Sequence, residues 1–140
     1  ITLAQELEDA GHRVIVLGED GEDIPVGTSF VGRTNVTEAA RLLHHADLCI
    51  SNDSGLMHLS LAAGTPTIGL FGPTASEILI QSNPDFHPLT NERNCQGCWN
   101  RDLSIKTPGT CPKNIDDCMN SIDVLDVWKL SRTLLSGEGS

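Results

Sequence analysis

Basic residues are scarce: nine lysines and arginines stand against nineteen aspartates and glutamates in 140 residues, a formal charge of -10. Phosphate backbones are neutralised by Lys and Arg, so no nucleic-acid partner is expected. Long apolar runs are missing too. No stretch approaches the roughly 18 residues that cross a bilayer, and no basic start followed by an apolar segment marks a signal peptide. No internal repeat is found. The chain starts at Ile1 with no initiator methionine, which we read as a chain cut from something longer or processed. What remains is of ordinary globular composition, 39% hydrophobic and 20% charged, at a length that suits one domain.

Strands and helices alternate along the first half. Leu3, Leu7 and Ala10 share one helical face up to Gly11. Arg13 to Leu17 is a short β-branched run between glycines, the pattern of a strand buried on both faces, and an acidic loop follows to Gly27. Ser29 to Val31 is a second strand. Asn35 with Glu38 three residues on is close to a capping box, opening a helix that runs to about His45. Leu48 to Ser51, Gly55 to Ala63 and Thr67 to Phe71 then read as strand, helix and strand. Apolar strands alternating with short helices predict an α/β fold, a doubly wound parallel sheet. From Pro73 to Lys113 the pattern breaks into a loop, Cys-rich over residues 91–119. A final helix is predicted over Asp123 to Leu135, with Val124, Val127, Trp128, Leu130 and Leu134 as its apolar face, and residues 136–140 as a disordered tail.

The turn after the third strand carries the most chemistry. In a parallel sheet ligands bind beyond the carboxyl ends of the strands, and Asn52, Asp53 and Ser54 lie at such an end. Ser54 suits an N-cap, and Gly55 lets a ligand approach the backbone. The N–H groups of Gly55, Leu56 and Met57 then face an anion such as a diphosphate, with His58 as an added donor and Asp53 as an acceptor for hydroxyls. The same residues also describe an ordinary capped strand-to-helix junction, and His58 a satisfied half-buried histidine.

Beyond the single residues, the string Asp53-Ser54-Gly55-Leu56-Met57-His58-Leu59, Ala63-Gly64-Thr65-Pro66 and Phe71-Gly72-Pro73-Thr74 resembles the donor-binding half of the heptosyltransferases, glycosyltransferase family 9. Gly32-Arg33-Thr34-Asn35 and the late cysteine elements are similar to the same family. The resemblance implies the C-terminal, Rossmann-like half of a GT-B glycosyltransferase. It further implies an ADP-heptose-like donor held by Asp53, Ser54, Gly55 and His58, with Thr34 lining the adenine pocket and Glu22 or Glu19 near the ribose. Transfer would invert the anomeric centre with no cofactor and no metal at the diphosphate. The general base and a further basic residue would come from a missing N-terminal domain of the same protein, which would also hold the glycan or lipid-linked acceptor. By the same resemblance the enzyme is bacterial and cytoplasmic, at the inner face of the inner membrane, and serves lipopolysaccharide biosynthesis. A non-catalytic nucleotide-binding module and a metal-stabilised interaction module are the alternatives.

Cys49, inside a buried strand, reads as a small inert hydrophobe. The other four, Cys95-x2-Cys98 and Cys111-x6-Cys118, can supply a tetrahedral thiolate site for structural Zn or Fe, although the second spacing is looser than in zinc ribbons. Unliganded thiols and two disulfides stay open as alternatives, the latter disfavoured without a signal peptide. The acidic run from Glu19 to Asp23 reads as a solvated loop, His44 and His45 as helix-end residues, and Trp99 and Trp128 as packing anchors.

Overall fold

A computed structural model of the chain describes residues 2–21, 25–80, 82–90, 97–101, 111 and 118–137. Its elements are α1 (Thr2–Asp9), β1 (Ile15–Val16), β2 (Thr28–Ser29), α2 (Val36–His44), β3 (Cys49–Asn52), α3 (Gly55–Ala62), β4 (Thr67–Phe71), α4 (Ser76–Leu79), β5 (Phe86–Thr90), α5 (Cys98–Arg101) and α6 (Val124–Ser136). Every ladder is parallel, as the alternation of strands and helices requires. The ladders fall into two pieces: β1 pairs with β2, and β4 lies between β3 and β5.

The core gathers on β4. Thr67, Ile68 and Phe71 are fully buried, and Met57 of α3 closes over them. Gly69 makes that closure possible. A Cβ there would come within 2.7 Å of the Phe71 and Phe86 rings and 3.1 Å of the Met57 sulfur.

Local signals fix the helix ends. The Asn35 carboxamide accepts from the Glu38 N–H at 3.0 Å, and the Glu38 carboxylate accepts from the Asn35 N–H at 2.9 Å, a complete capping box. Asp123 caps α6 through the Leu125 N–H at 2.9 Å, and Gly137 ends it in the left-handed region. Between α3 and β4, the buried Thr65 hydroxyl donates to the Leu43 carbonyl at 2.7 Å, joining this turn to the end of α2. Thr65→Val would remove this tether while the Leu43 carbonyl keeps its bond from the Ala46 N–H at 2.9 Å. We expect a loss of about 0.5–1.5 kcal/mol in urea unfolding at unchanged m-value, and no loss would refute it.

The structure differs from the sequence expectation in four places. The stretch after Pro73 is not all loop, since α4, β5 and α5 lie in it. Pro88 disguises β5, yet a proline fits there because, among the described residues, β5 pairs only with β4 and so forms an edge. The strands at Ile15 and Ile50 are not buried on both faces: Ile15 is 37% exposed and Cys49 to Ser51 are half-buried, because β1 and β3 each have one open edge. On α6, Val127 and Ser131 are buried, whereas Val124 is exposed. Trp99 is no buried anchor at 36% exposure; Trp128 is half-buried.

Candidate functional site

The register of β3 against β4 sets Asn52 opposite Leu70, so the turn at Asp53 and the turn at Gly72 leave the same carboxyl edge of the sheet. Ser54 occupies the N-cap position of α3 with extended backbone, but its side chain does not cap. Its hydroxyl instead meets the Ser51 hydroxyl at 3.1 Å, and Ser51 donates to the Asn52 carbonyl at 2.9 Å. The first bond inside α3 runs from the His58 N–H to the Ser54 carbonyl at 3.4 Å. The N–H groups of Gly55, Leu56 and Met57 are therefore without a side-chain cap, at the positive end of the helix dipole.

The surroundings of that turn divide the residues by role. Gly55 is exposed, and a Cβ added there would meet nothing within 4 Å. Asp53 Oδ1 lies 3.9 Å from His58 Nε2, with the two side chains 23% and 50% exposed, so both groups border the opening in front of Gly55. Met57 is fully buried, main chain included, and Leu56 half-buried, so of the three N–H groups expected to face a ligand those of Gly55 and Leu56 belong to residues that reach the surface and that of Met57 does not. Thr34, half-buried, precedes α2 in the loop after β2, in the other ladder. There Gly32 leaves room for the Asp20 carboxylate, which a Cβ would strike, and its N–H donates to the Gly18 carbonyl at 3.0 Å. Glu22 lies outside the described residues.

Sequence reasoning missed where the cysteine segments go. Gly72 is buried, and a Cβ on it would come within 2.8 Å of the Cys118 sulfur and 3.0 Å of the Met119 sulfur. The Gly97 N–H donates to the Gly72 carbonyl at 3.3 Å, and the Trp99 N–H to the Pro73 carbonyl at 2.9 Å. Two segments distant in sequence thus dock on the turn beside Asp53. Glycine at position 72, needed for this close approach, was the one available signal. Cys98, Cys111 and Cys118 are half-buried. Among the described residues no three Cys, His, Asp or Glu side chains group as metal ligands. Cys95 lies outside the described residues, so the thiols that are described do not form a metal site by themselves.

Cys49 sits apart from this group. Burial pushes its thiol above the ordinary value, against a smaller lowering by the Ser60 hydroxyl. The folded state thus holds the proton more tightly than the unfolded one. Its contribution to stability is in force below the ordinary thiol range and fades as pH rises through the raised value. Native Cys49 is expected to react with iodoacetamide more slowly than a peptide cysteine up to about pH 9, accelerating only on unfolding. Labelling of the folded chain at the peptide rate, read by mass spectrometry, would refute this.

Comparison with known proteins adds an independent line. A family model described as glycosyltransferase family 9 (heptosyltransferase) matches residues 2–107. Lipooligosaccharide heptosyltransferase 2 of Haemophilus influenzae is 33% identical over 90 residues, 54% of this chain and 26% of that protein. Lipopolysaccharide heptosyltransferase 2 of Escherichia coli K12 is 31% identical over 100 residues, 61% and 26% of the two chains. Among solved structures, the iron-containing dodecameric glycosyltransferase TibC of enterotoxigenic E. coli aligns at a TM-score of 0.78 and 25% identity, covering 96% of this chain and 39% of TibC. TibC in complex with ADP-D-β-D-heptose aligns at 0.77 and 24%, covering 96% and 39%, a likeness of fold. The chain spans 26% of the length of those two curated relatives. No described helix is long and apolar enough to cross a membrane.

Proposed function

The chain belongs to glycosyltransferase family 9, the heptosyltransferases, and from that premise we propose that its β3–α3 turn holds the diphosphate of an ADP-heptose donor. The observation that carries this reading is the uncapped first turn of α3 behind the open space at Gly55. Backbone N–H groups of Gly55 and Leu56 bind the phosphates, backed by the dipole of α3, which needs no net positive charge and so tolerates a chain of charge -10. His58 donates to a phosphate or sugar oxygen, Asp53 accepts from the sugar hydroxyls, and Thr34 lines the adenine. Charge developing on the leaving ADP is stabilised by the same fixed dipoles, without a metal.

The chain acts as the donor-binding half of a GT-B enzyme that transfers heptose, with inversion, to a lipopolysaccharide-core or related glycan acceptor on the cytoplasmic face of the membrane. The acceptor's general base lies in the other half, so this polypeptide alone binds nucleotide weakly and transfers no sugar. Titrating ADP into the chain while recording amide shifts provides the test. Shifts concentrated at Gly55 to His58 and at Thr34 are expected. Shifts confined to other elements, or heptose transfer by this chain alone, would overturn the reading.

We further propose that Cys95, Cys98, Cys111 and Cys118 hold a structural Zn or Fe ion. Two features support it: the segments of Cys98 and Cys118 converge on Gly72, and TibC is iron-containing. Such an ion would order the segment that buttresses the turn beside Asp53. Elemental analysis of protein purified without chelator should find about one metal per chain, falling on Cys98→Ser. Absence of bound metal would remove the proposal.

A further inference from the structure

Two hydroxyls stand where β3 runs into α3, and their hydrogen bonds have a fixed direction. A serine hydroxyl carries one proton and accepts on its lone pairs. The Ser51 hydroxyl lies 2.9 Å from the Asn52 carbonyl oxygen, which can only accept, so the one Ser51 proton is committed there. In the 3.1 Å contact between Ser51 and Ser54, Ser54 is therefore the donor and Ser51 Oγ the acceptor. The protons run one way, from Ser54 to Ser51 to the Asn52 carbonyl.

That direction decides what Ser54 does not do. Its backbone, at φ -152° and ψ 170°, lies in the extended region that N-cap residues take, and serine is among the favoured cap types. Capping would need only a rotation about the Cα–Cβ bond, carrying Oγ over the first turn to accept from the Leu56 or Met57 N–H. No such bond is made. By contrast, Asn35 and Asp123 do cap α2 and α6, at 3.0 and 2.9 Å. What sets Ser54 apart is the hydroxyl of Ser51, three residues back in β3. Ser51 is held opposite Gly69 in the β3–β4 ladder, so the acceptor that draws Ser54 aside is carried by the sheet and not by the turn.

We propose that Ser51 is a positioning residue: by accepting the Ser54 proton it keeps Ser54 from capping α3, and so leaves the N–H groups at the start of the helix free for an anionic group of the donor. The inference rests on the reading that this turn holds a diphosphate. Ser51 acts through Ser54 without touching the ligand, and Ser54 gives no proton to a phosphate because its proton is already engaged. An anion arriving at a capped turn would first have to displace the Ser54 oxygen, and a cap of ordinary strength would lower its affinity about 3- to 10-fold.

Three variants of the chain, Ser51→Ala, Ser54→Ala and the double variant, test this by ADP titration and by hydrogen exchange without nucleotide. Ser51→Ala releases Ser54 to cap. Its ADP affinity should fall about 3- to 10-fold while the thermal melt holds or rises, and the Leu56 or Met57 amide should exchange more slowly by a similar factor. Ser54→Ala cannot cap and should bind ADP as the native chain does. So should the double variant, in which removing Ser54 restores what removing Ser51 took away. A merely structural Ser51 would give the opposite pattern, a lower melt and a loss that Ser54→Ala does not mend. Unchanged affinity in Ser51→Ala, or a loss that persists in the double variant, overturns the proposal. Should Ser51→Ala fail to fold, Ser51→Cys, of similar size but a weak acceptor, takes its place with the same expectations. If ADP shifts no amide of this turn in the native chain, the diphosphate reading is what fails. The exchange rates then decide on the cap alone, and unchanged rates at both Leu56 and Met57 in Ser51→Ala overturn it.

Discussion

Gly55→Asp is expected to leave the fold intact or slightly more stable while nearly abolishing nucleotide-sugar binding. The two effects share one cause. A carboxylate at the first position of α3 meets the positive end of the helix dipole, worth about 0.3–1 kcal/mol at an exposed position. Nothing lies within 4 Å of the added Cβ, so no steric cost offsets that gain. The same carboxylate stands where the diphosphate is to bind. Like charges about 4 Å apart repel by about 4 kcal/mol at an effective dielectric of 20, and solvent screening at this open turn reduces that to roughly half. A loss of 10- to 100-fold in donor affinity follows. The measurements are a thermal melt of the variant and the amide shifts that ADP induces in it. A stable variant with unchanged shifts at this turn would show that the start of α3 does not hold the phosphates. A variant that fails to fold would contradict the open geometry at this residue.

The parts of this molecule that could be read from sequence are those whose physics is short-range. Asn35 and Glu38 are three residues apart, and their capping box forms whatever the rest of the chain does. The strand before Asp53 and the helix after it follow from a few consecutive residues. Longer-range facts were hidden. β5 carries Pro88, and only its place at the edge, known once β4 is seen to be its single partner among the described residues, makes that proline harmless. The exposure of Ile15 and the half-burial of Ile50 depend on a neighbour that their own hydrophobicity cannot reveal. Ser54 illustrates the limit at the site itself: its type suits a cap, but a competing hydroxyl on Ser51, three residues back in β3, draws the side chain aside. The docking of Cys118 and Gly97 on Gly72 joins residues that are 46 and 25 positions apart, beyond the reach of any local pattern.

Phe71→Ala should be the most costly single truncation among the described residues, because this ring is the largest fully buried side chain among them. It meets Phe86 edge-on, with centroids 5.8 Å apart and planes at 83°, and both rings close the space in front of Gly69. Deleting such a ring from a packed core costs about 3–5 kcal/mol, a large part of the 5–15 kcal/mol that holds an ordinary domain folded. Urea unfolding should show the midpoint falling with the slope unchanged. A loss below about 2 kcal/mol would mean that the core relaxes over the hole. The packing at Gly69 allows a stricter check. Gly69→Ala by itself overfills the same space, where its Cβ would press on both rings, and should cost about 1–3 kcal/mol. Combined with Phe71→Ala, the added methyl presses on the Phe86 ring alone, which can give way into the cavity. The double variant should therefore be more stable than the sum of the two losses predicts, by at least about 0.5 kcal/mol. Strict additivity would mean that Gly69 and Phe71 do not share one packed volume. The consequence would reach the candidate site, since Met57, whose sulfur lies in that volume, belongs to the first turn of α3, the turn proposed to hold the phosphates.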